Sequence, residues 1–393
     1  MAVRPAIEGG RPVRNRPLPY GHQRITDADV KAVASVLRGE WITQGPMVER
    51  FERSLARRCR AKYAVAMSSG TAALHAACAV AGLRSGTEGI TTPITFSASA
   101  NAIAYCGARP RFVDAAEDWP LLDSEALESV DGSGTLIVVP VDYGGHPAPL
   151  DEIRKIANAR GWAVIEDAAH ALGSTYKGKP VGTISDMTIF SFHPVKQITT
   201  GEGGAVVTND GGYADALRSF RHHGIVKPER SEPWFYDIPR LGHNFRLTDF
   251  QCALGLRQLE RLSARVARRR AIATRYAKAF RTLTALEPPT ERPGCRSSYH
   301  IYPIRLRLRE LKADRRQVFD ALRAEGLGVQ VHYIPAHLFG FYRSTYGYKE
   351  GDFPRAEAFY SREITLPLFD GMSDSDVEDV VEATTKVLAF YTR

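Results

Sequence analysis

One lysine stands out by its setting. Lys196 ends the weakly charged run Phe190-Ser191-Phe192-His193-Pro194-Val195-Lys196, just past an apolar strand and just before Gly201-Glu202-Gly203-Gly204. Most lysines are solvated surface charges, but an amine held between a strand and a tight turn is desolvated and nucleophilic enough to form an imine with a carbonyl. Upstream, Asp167 follows the apolar run Ala163-Val164-Ile165 and precedes Ala168-Ala169-His170. A carboxylate at the carboxyl end of a buried strand lies at the mouth of an α/β sheet. It either caps the following helix or keeps a pyridine nitrogen protonated. His170 is then a neighbour of that ring, or a loop histidine with its own partners. Ser69-Gly70-Thr71 opens an Ala-rich helix, and backbone N–H groups at a helix N-terminus form a ready anion site. Ser191 adds a hydroxyl beside the lysine. Phe96, in Thr92-Pro93-Ile94-Thr95-Phe96, is either a core residue or a flat platform for an aromatic ring. An imine-forming lysine, a ring-nitrogen acid, a phosphate turn and a stacking face together fit one cofactor, pyridoxal 5'-phosphate (PLP), whose ring acts as an electron sink.

These residues need a scaffold. Strand signals recur at Tyr63–Met67, Gly89–Thr92, Arg111–Val113, Leu136–Val141, Ala163–Glu166, Met187–Phe192 and Ala205–Thr208, with helical segments between many of them. The apolar runs at 136–141 and 163–165 suit strands buried on both faces, so the fold class is α/β with a mostly parallel, helix-covered sheet. Thr26 is positioned to cap a helix through Leu37, and Val48–Arg58 reads as another helix. After Arg246 long helices take over, Thr248–Leu262 and onward to Leu283. Strands at Tyr299–Leu306 and Gly328–Tyr333 and helices at Arg315–Glu325 and Asp374–Tyr391 follow. The expected organisation is a poorly ordered tail (1–19), a large domain (20–246), and a helical connection with a small α+β domain (247–393).

At 393 residues the chain has room for two cores. Its Met1–Pro19 start has no apolar signal region, and no apolar run approaches the roughly 20 residues that span a bilayer. Five scattered cysteines without a C-x-x-C pair argue against a disulfide framework and a zinc site, so a reducing cytoplasm and no metal are expected. The net charge of +8 comes without a nucleic-acid recognition motif. Part of it sits in Arg265, Arg268, Arg269 and Arg270, which read as a solvated helix face. A phosphate-rich small substrate accounts for the sign as well as nucleic acid does.

From about Tyr20 to Leu388 the sequence resembles the DegT-type sugar aminotransferases, a PLP family of fold type I with an aspartate-aminotransferase-like fold. The resemblance rests on Trp41-Ile42-Thr43-Gln44-Gly45-Pro46, Ser69-Gly70-Thr71, Thr92–Phe96, Val141-Asp142-Tyr143-Gly144-Gly145, Glu166–His170, the Lys196 block, Gly242-His243-Asn244-Phe245-Arg246 and Val331-His332-Tyr333. It implies that Lys196 carries the Schiff base, Asp167 meets the ring nitrogen, Phe96 stacks on the ring, and Gly70, Thr71 and Ser191 hold the phosphate beside His170. It also implies that Asn244 reaches into the neighbouring subunit's site, which makes the protein a homodimer with composite sites. Members that deoxygenate sugars carry His where this chain has Lys196, so transamination is implied. His170, with Ala171–Ser174 and Ile198–Gly204, is most similar to the pseudaminic-acid branch. That branch aminates C4 of a UDP-linked 4-keto-6-deoxy-N-acetyl sugar, with L-glutamate as donor and 2-oxoglutarate as product. The implied substrate contacts are Tyr20, Trp41, Ile42, Thr43, Phe245, His332 and Tyr333, with Trp41 and Ile42 differing in type from the branch pattern. A dTDP- or GDP-linked 3- or 4-keto sugar is the alternative substrate, and a PLP-binding regulator without turnover is the alternative of another class.

Overall fold

The computed structural model describes residues 4–228 and 232–393. Seven strands build the central sheet: β1 (Tyr63–Met67), β2 (Glu88–Thr91), β3 (Arg109–Phe112), β4 (Thr135–Val139), β5 (Ala163–Asp167), β6 (Met187–Ser191) and β7 (Gly204–Thr208). Their spatial order is β1-β7-β6-β5-β4-β2-β3. Strands β6, β5, β4, β2 and β3 pair parallel, and β7 runs antiparallel to both β6 and β1. The reversal has a local cause. Residues 192–203 return from β6 without a crossover helix, and only an antiparallel strand can follow so direct a connection. That return carries Lys196. Because β1 points the same way as β6, the segments after β1, β5 and β6 all emerge at one edge of the sheet.

Period-two alternation covers both faces. Val65, Met67, Ile165, Ile189 and Val206 pack on one side against the helix Gly70–Val80 and its neighbours. Ala64, Ala66, Phe190, Ala205 and Val207 face the other side, where Phe51 and Leu55 of the helix Pro46–Cys59 cover them. The helix Asp27–Leu37 begins at Thr26, whose hydroxyl and N–H both bond Asp29 (2.9 and 2.8 Å).

The helix Leu262–Phe280 leads to a small domain built on a three-stranded antiparallel sheet, Leu286–Glu287, Tyr302–Leu306 and Glu363–Leu366. Its arginine stretch is not the solvated face expected of it. Arg269 is fully buried and donates to the carbonyls of His300 and Leu368, both at 3.1 Å, while Arg270 donates to Ser297 O at 2.7 Å. A guanidinium has five donors, and carbonyls left outside the strand ladders need them.

Two further expectations are corrected. Met1–Val3 lie outside the described residues, but 4–19 are not a loose tail. Ala6 N and Val13 N donate to the Glu325 carboxylate (2.7 and 2.9 Å), Arg14 pairs with Asp376 (2.8 Å), and Leu18 enters the small-domain core. Glu325 is fully buried and must find donors, which this segment and Lys386 supply. Gly328–Tyr333 is not a strand either. Leu327–Gly328 pairs in parallel with Leu18–Pro19, Gln330 then makes a single antiparallel bridge to Thr365, and beyond it side chains take over the backbone bonds of His332.

Candidate active site

The three segments leaving the same sheet edge enclose a cavity of about 470 Å3. Asp167 ends β5 almost fully buried, with Oδ2 accepting from Ser99 Oγ at 2.6 Å and Oδ1 from the Ala169 N–H at 3.1 Å. Burial pushes its carboxyl above the ordinary carboxylate range, opposed by those two hydrogen bonds and by the Lys196 charge. Lys196 lies on the cavity floor. Burial lowers its amine to about 7, with Asp167 opposing the shift and Arg269 adding to it. An amine tuned to that value exchanges protons near neutrality, as a general base must.

Two histidines flank the amine. His300 Nε2 is 3.5 Å from Lys196 Nζ, and its ring centroid is 4.2 Å from that of His170. The Gly144 N–H donates to His170 Nδ1 (3.2 Å), which leaves Nε2 as the protonated nitrogen facing Tyr333 Oη, also at 3.2 Å. Burial, then the Lys196 charge, holds both imidazoles well below their usual range and therefore neutral.

Opposite the acid, Ser69 caps the helix Gly70–Val80 by accepting from Ala72 N at 3.0 Å, so Gly70 and Thr71 open the helix at the cavity edge. The turn is close-packed. A Cβ on Gly70 would stand 3.0 Å from Ser191 Cβ, and one on Gly204 would stand 2.5 Å from Ser69 O. Both glycines are needed for this helix start to approach Ser191. Phe96 is 59% exposed rather than a core residue, and its ring sits 6.0 Å from that of Tyr333. Tyr20 and His332 complete that wall, with ring centroids 5.4 Å apart.

The structure thus brings together Tyr20, Gly70, Thr71, Phe96, Asp167, His170, Ser191, Lys196, His332 and Tyr333, all lining one cavity. It does not bring Trp41, Ile42, Thr43, Asn244 or Phe245 to it. The first four are exposed, and the Phe245 ring stacks on His243 (4.7 Å) within a cluster that includes His75 and Phe220. Ser99 and His300 were missed by the sequence reading. Their roles come from partners more than sixty residues away, and no local spacing marks them.

Residues 23–385 match the model of the DegT/DnrJ/EryC1/StrS aminotransferase family. The chain belongs to this family. Among curated relatives, a spore coat polysaccharide biosynthesis protein of Bacillus subtilis is 39% identical over 95% of this aminotransferase and 98% of its own length. A UDP-4-amino-4,6-dideoxy-N-acetyl-beta-L-altrosamine transaminase of Campylobacter jejuni is 37% identical over 94% and 97%. Among solved structures, a Helicobacter pylori aminotransferase involved in pseudaminic acid biosynthesis superposes with TM-score 0.91 at 31% identity, covering 96% of this chain and all of its own. A Streptococcus pneumoniae protein named as a sugar aminotransferase, in its PLP form, superposes with TM-score 0.88 at 31% identity over 95% and 99%.

The residues of this aminotransferase fit PLP. The helix start at Gly70 and the Ser191 hydroxyl suit its phosphate, the buried Asp167 carboxylate suits a protonated pyridine nitrogen, and Lys196 offers the amine. If Asp167 meets the ring nitrogen, Asp167→Ala is expected to keep part of its PLP while turnover falls on the order of a hundredfold or more, since that charge is lost. Absorbance after dialysis and steady-state rates check this, and near-normal turnover removes the role.

Proposed function

We propose that this enzyme transfers the amino group of L-glutamate to C4 of a UDP-linked 4-keto-6-deoxy-N-acetyl hexose, using PLP, as a homodimer in the cytoplasm. One observation carries the reading. Lys196, tuned to about 7, lines one cavity with the Asp167 acid and with Tyr20, His332 and Tyr333, so a sugar carbonyl bound there has an amine beside it. Bound PLP supplies the electron sink for charge left at the deprotonated carbon. The chain's residues do the rest. Ser69, Gly70, Thr71 and Ser191 bind and orient the phosphate. Lys196 Nζ takes the proton from Cα of glutamate in one half-reaction and returns one to C4 of the sugar in the other. His170 and His300, kept neutral, add no competing positive charge beside that amine. The 37% identical transaminase supports the nucleotide and the C4 position.

The dimer is supported by the surface. Trp41, Ile42, Trp234, Phe235, Tyr236, Ile238 and Leu241 are large, apolar and exposed, and Leu241 is 88% so. Apolar exposure on this scale marks a contact surface. Asn244 lies in the same region of sequence. Among the described residues no helix is long and apolar enough to cross a membrane.

The test is a set of nucleotide keto sugars with products read by mass spectrometry. The UDP sugar bearing the acetamido group is expected to exceed the matching dTDP sugar without it by about tenfold or more in kcat/KM, because losing that group strands buried polar partners. His332→Ala should lower kcat/KM for the sugar half-reaction and spare the glutamate half-reaction. A preference for the dTDP sugar, or equal loss in both halves, overturns the substrate reading and leaves the aminotransferase in place.

A further inference from the structure

Behind the Tyr20–His332 wall, the strand Glu363–Leu366 sends Ile364 and Leu366 into the small-domain core. Alternation then places Glu363 and Thr365 together on its other face, where both are fully buried. There they hold His332 on two sides. The His332 N–H donates to Glu363 Oε2 at 2.8 Å, and Thr365 Oγ1 lies 2.9 Å from His332 Nδ1 while also bonding Glu363 Oε1. The Tyr143 hydroxyl donates to the His332 carbonyl. The hydrogen bonds that His332 makes among the described residues use its N–H, its carbonyl and Nδ1, and the ring lines the cavity, which leaves Nε2 for a ligand there.

Thr365 has one hydroxyl proton and two neighbours able to accept it. When Glu363 is ionised, that proton goes to Oε1, Oγ1 accepts from Nδ1–H, and Nε2 presents a lone pair. When Glu363 is protonated, Oε2 is already occupied by the His332 N–H, so the proton sits on Oε1 and points at Oγ1. The hydroxyl then donates to Nδ1, and Nε2 carries the ring proton. The two arrangements differ by one proton. It leaves from Nε2 into the cavity while the two hydrogens of the chain each shift by one bond, so His332 is neutral in both.

We propose that Glu363, acting through Thr365, sets which ring nitrogen of His332 carries the proton, and so whether the cavity offers the sugar substrate a donor or an acceptor. Glu363 is a positioning residue here. Burial raises it to about 8, against Thr365, the His332 N–H and the Arg315 charge, with Tyr143 and Tyr333 also facing it. His332 itself stays neutral, because burial and then the Lys196 charge lower it to about 3, with His170 and His300 close by as uncharged rings and Tyr20 against it. Near neutrality Glu363 therefore holds its proton and Nε2–H is a donor. The substrate group it suits is an acceptor oxygen, a carbonyl or a phosphate. This last step rests on the proposed function; the tautomer does not.

The test uses full-length, cofactor-free protein with nitrogen-15-labelled histidine, the His332 signals being identified by their loss in His332→Gln. As pH rises through about 8, Nε2 of His332 should change from protonated to unprotonated and Nδ1 the reverse. Glu363→Gln should hold Nε2–H throughout, because its amide donates permanently to Thr365 while its carbonyl accepts from the His332 N–H. Thr365→Val should remove the switch and Thr365→Ser restore it. One unchanging tautomer in the wild type from about pH 6 to about pH 10, or a switch that survives in Glu363→Gln, overturns the proposal. In the sugar half-reaction the wild-type rate should fall as pH passes about 8 while Glu363→Gln stays level. A tautomer switch without that fall would count against the sugar's placement at His332 and leave the relay standing.

Discussion

Lys196→Ala is expected to lower turnover on the order of 10⁴-fold or more, because among the described residues it removes the one lysine that lines the cavity, the group proposed to carry the proton. The wild-type profile should show why. With the neutral amine as the proposed base, its fraction grows as pH rises through about 7, and the rate of 2-oxoglutarate release from glutamate in a single turnover should climb over the same range. Lys196→Arg separates charge from proton transfer. A guanidinium keeps the positive charge opposite Asp167 but does not give up its proton near neutrality, so this variant should be as inactive as the alanine. Adding a small primary amine to Lys196→Ala should restore part of the rate, increasingly at higher pH as more of the added amine is neutral. Substantial activity in Lys196→Arg, or a rate that falls with pH between about 6 and 8, would show that another group moves the proton. His300, 3.5 Å away, would then be the first to examine.

The lysine was legible because its neighbours on both sides are unusual: an apolar strand before it, glycines after it and little charge between. The same holds for Asp167 and for Ser69-Gly70-Thr71, each placed by a strand whose continuous apolar character survives in one sequence. Local patterning also located all seven central strands to within a few residues, because strands buried on both faces leave no polar alternation to blur them. What failed was everything set by distant partners. The arginines of the helix Leu262–Phe280 read as solvated because nothing nearby in sequence announces the carbonyls that bury them. Residues 4–19 read as loose because the acid that anchors them is Glu325, at the end of a helix more than three hundred positions away. Gly328–Tyr333 has the composition of a strand, but its backbone pairing is split between Pro19 and Thr365, and the bonds of His332 go to the Glu363 carboxylate and the Tyr143 hydroxyl. Ser99, His300 and Thr365 share that difficulty. Each matters through one contact across the fold, and the residue type alone does not single it out.

Trp41, Ile42, Thr43 and Asn244 raise a different problem, since they were expected at the site and a single chain leaves them on its surface. Shared sites in a symmetric dimer would account for this, because a two-fold axis lets each subunit present the same patch to the other's cavity. Under that reading, the expected result of mixing two inactive variants is activity. Lys196→Ala damages the cavity of its own chain, while Asn244→Ala damages the cavity of its partner. In a heterodimer of the two, one site combines both changes and the other has neither. Random exchange of equal amounts makes about half of all dimers mixed, so about one quarter of all sites should work. Subunit exchange is verified by differently tagged chains, and rates are compared before and after it. Each parent should stay near its own background, and the mixture should rise as exchange proceeds. If the mixture stays at the sum of the parents after exchange is complete, each site is built from one chain. Asn244 and the exposed Trp41–Thr43 segment would then need a role outside catalysis.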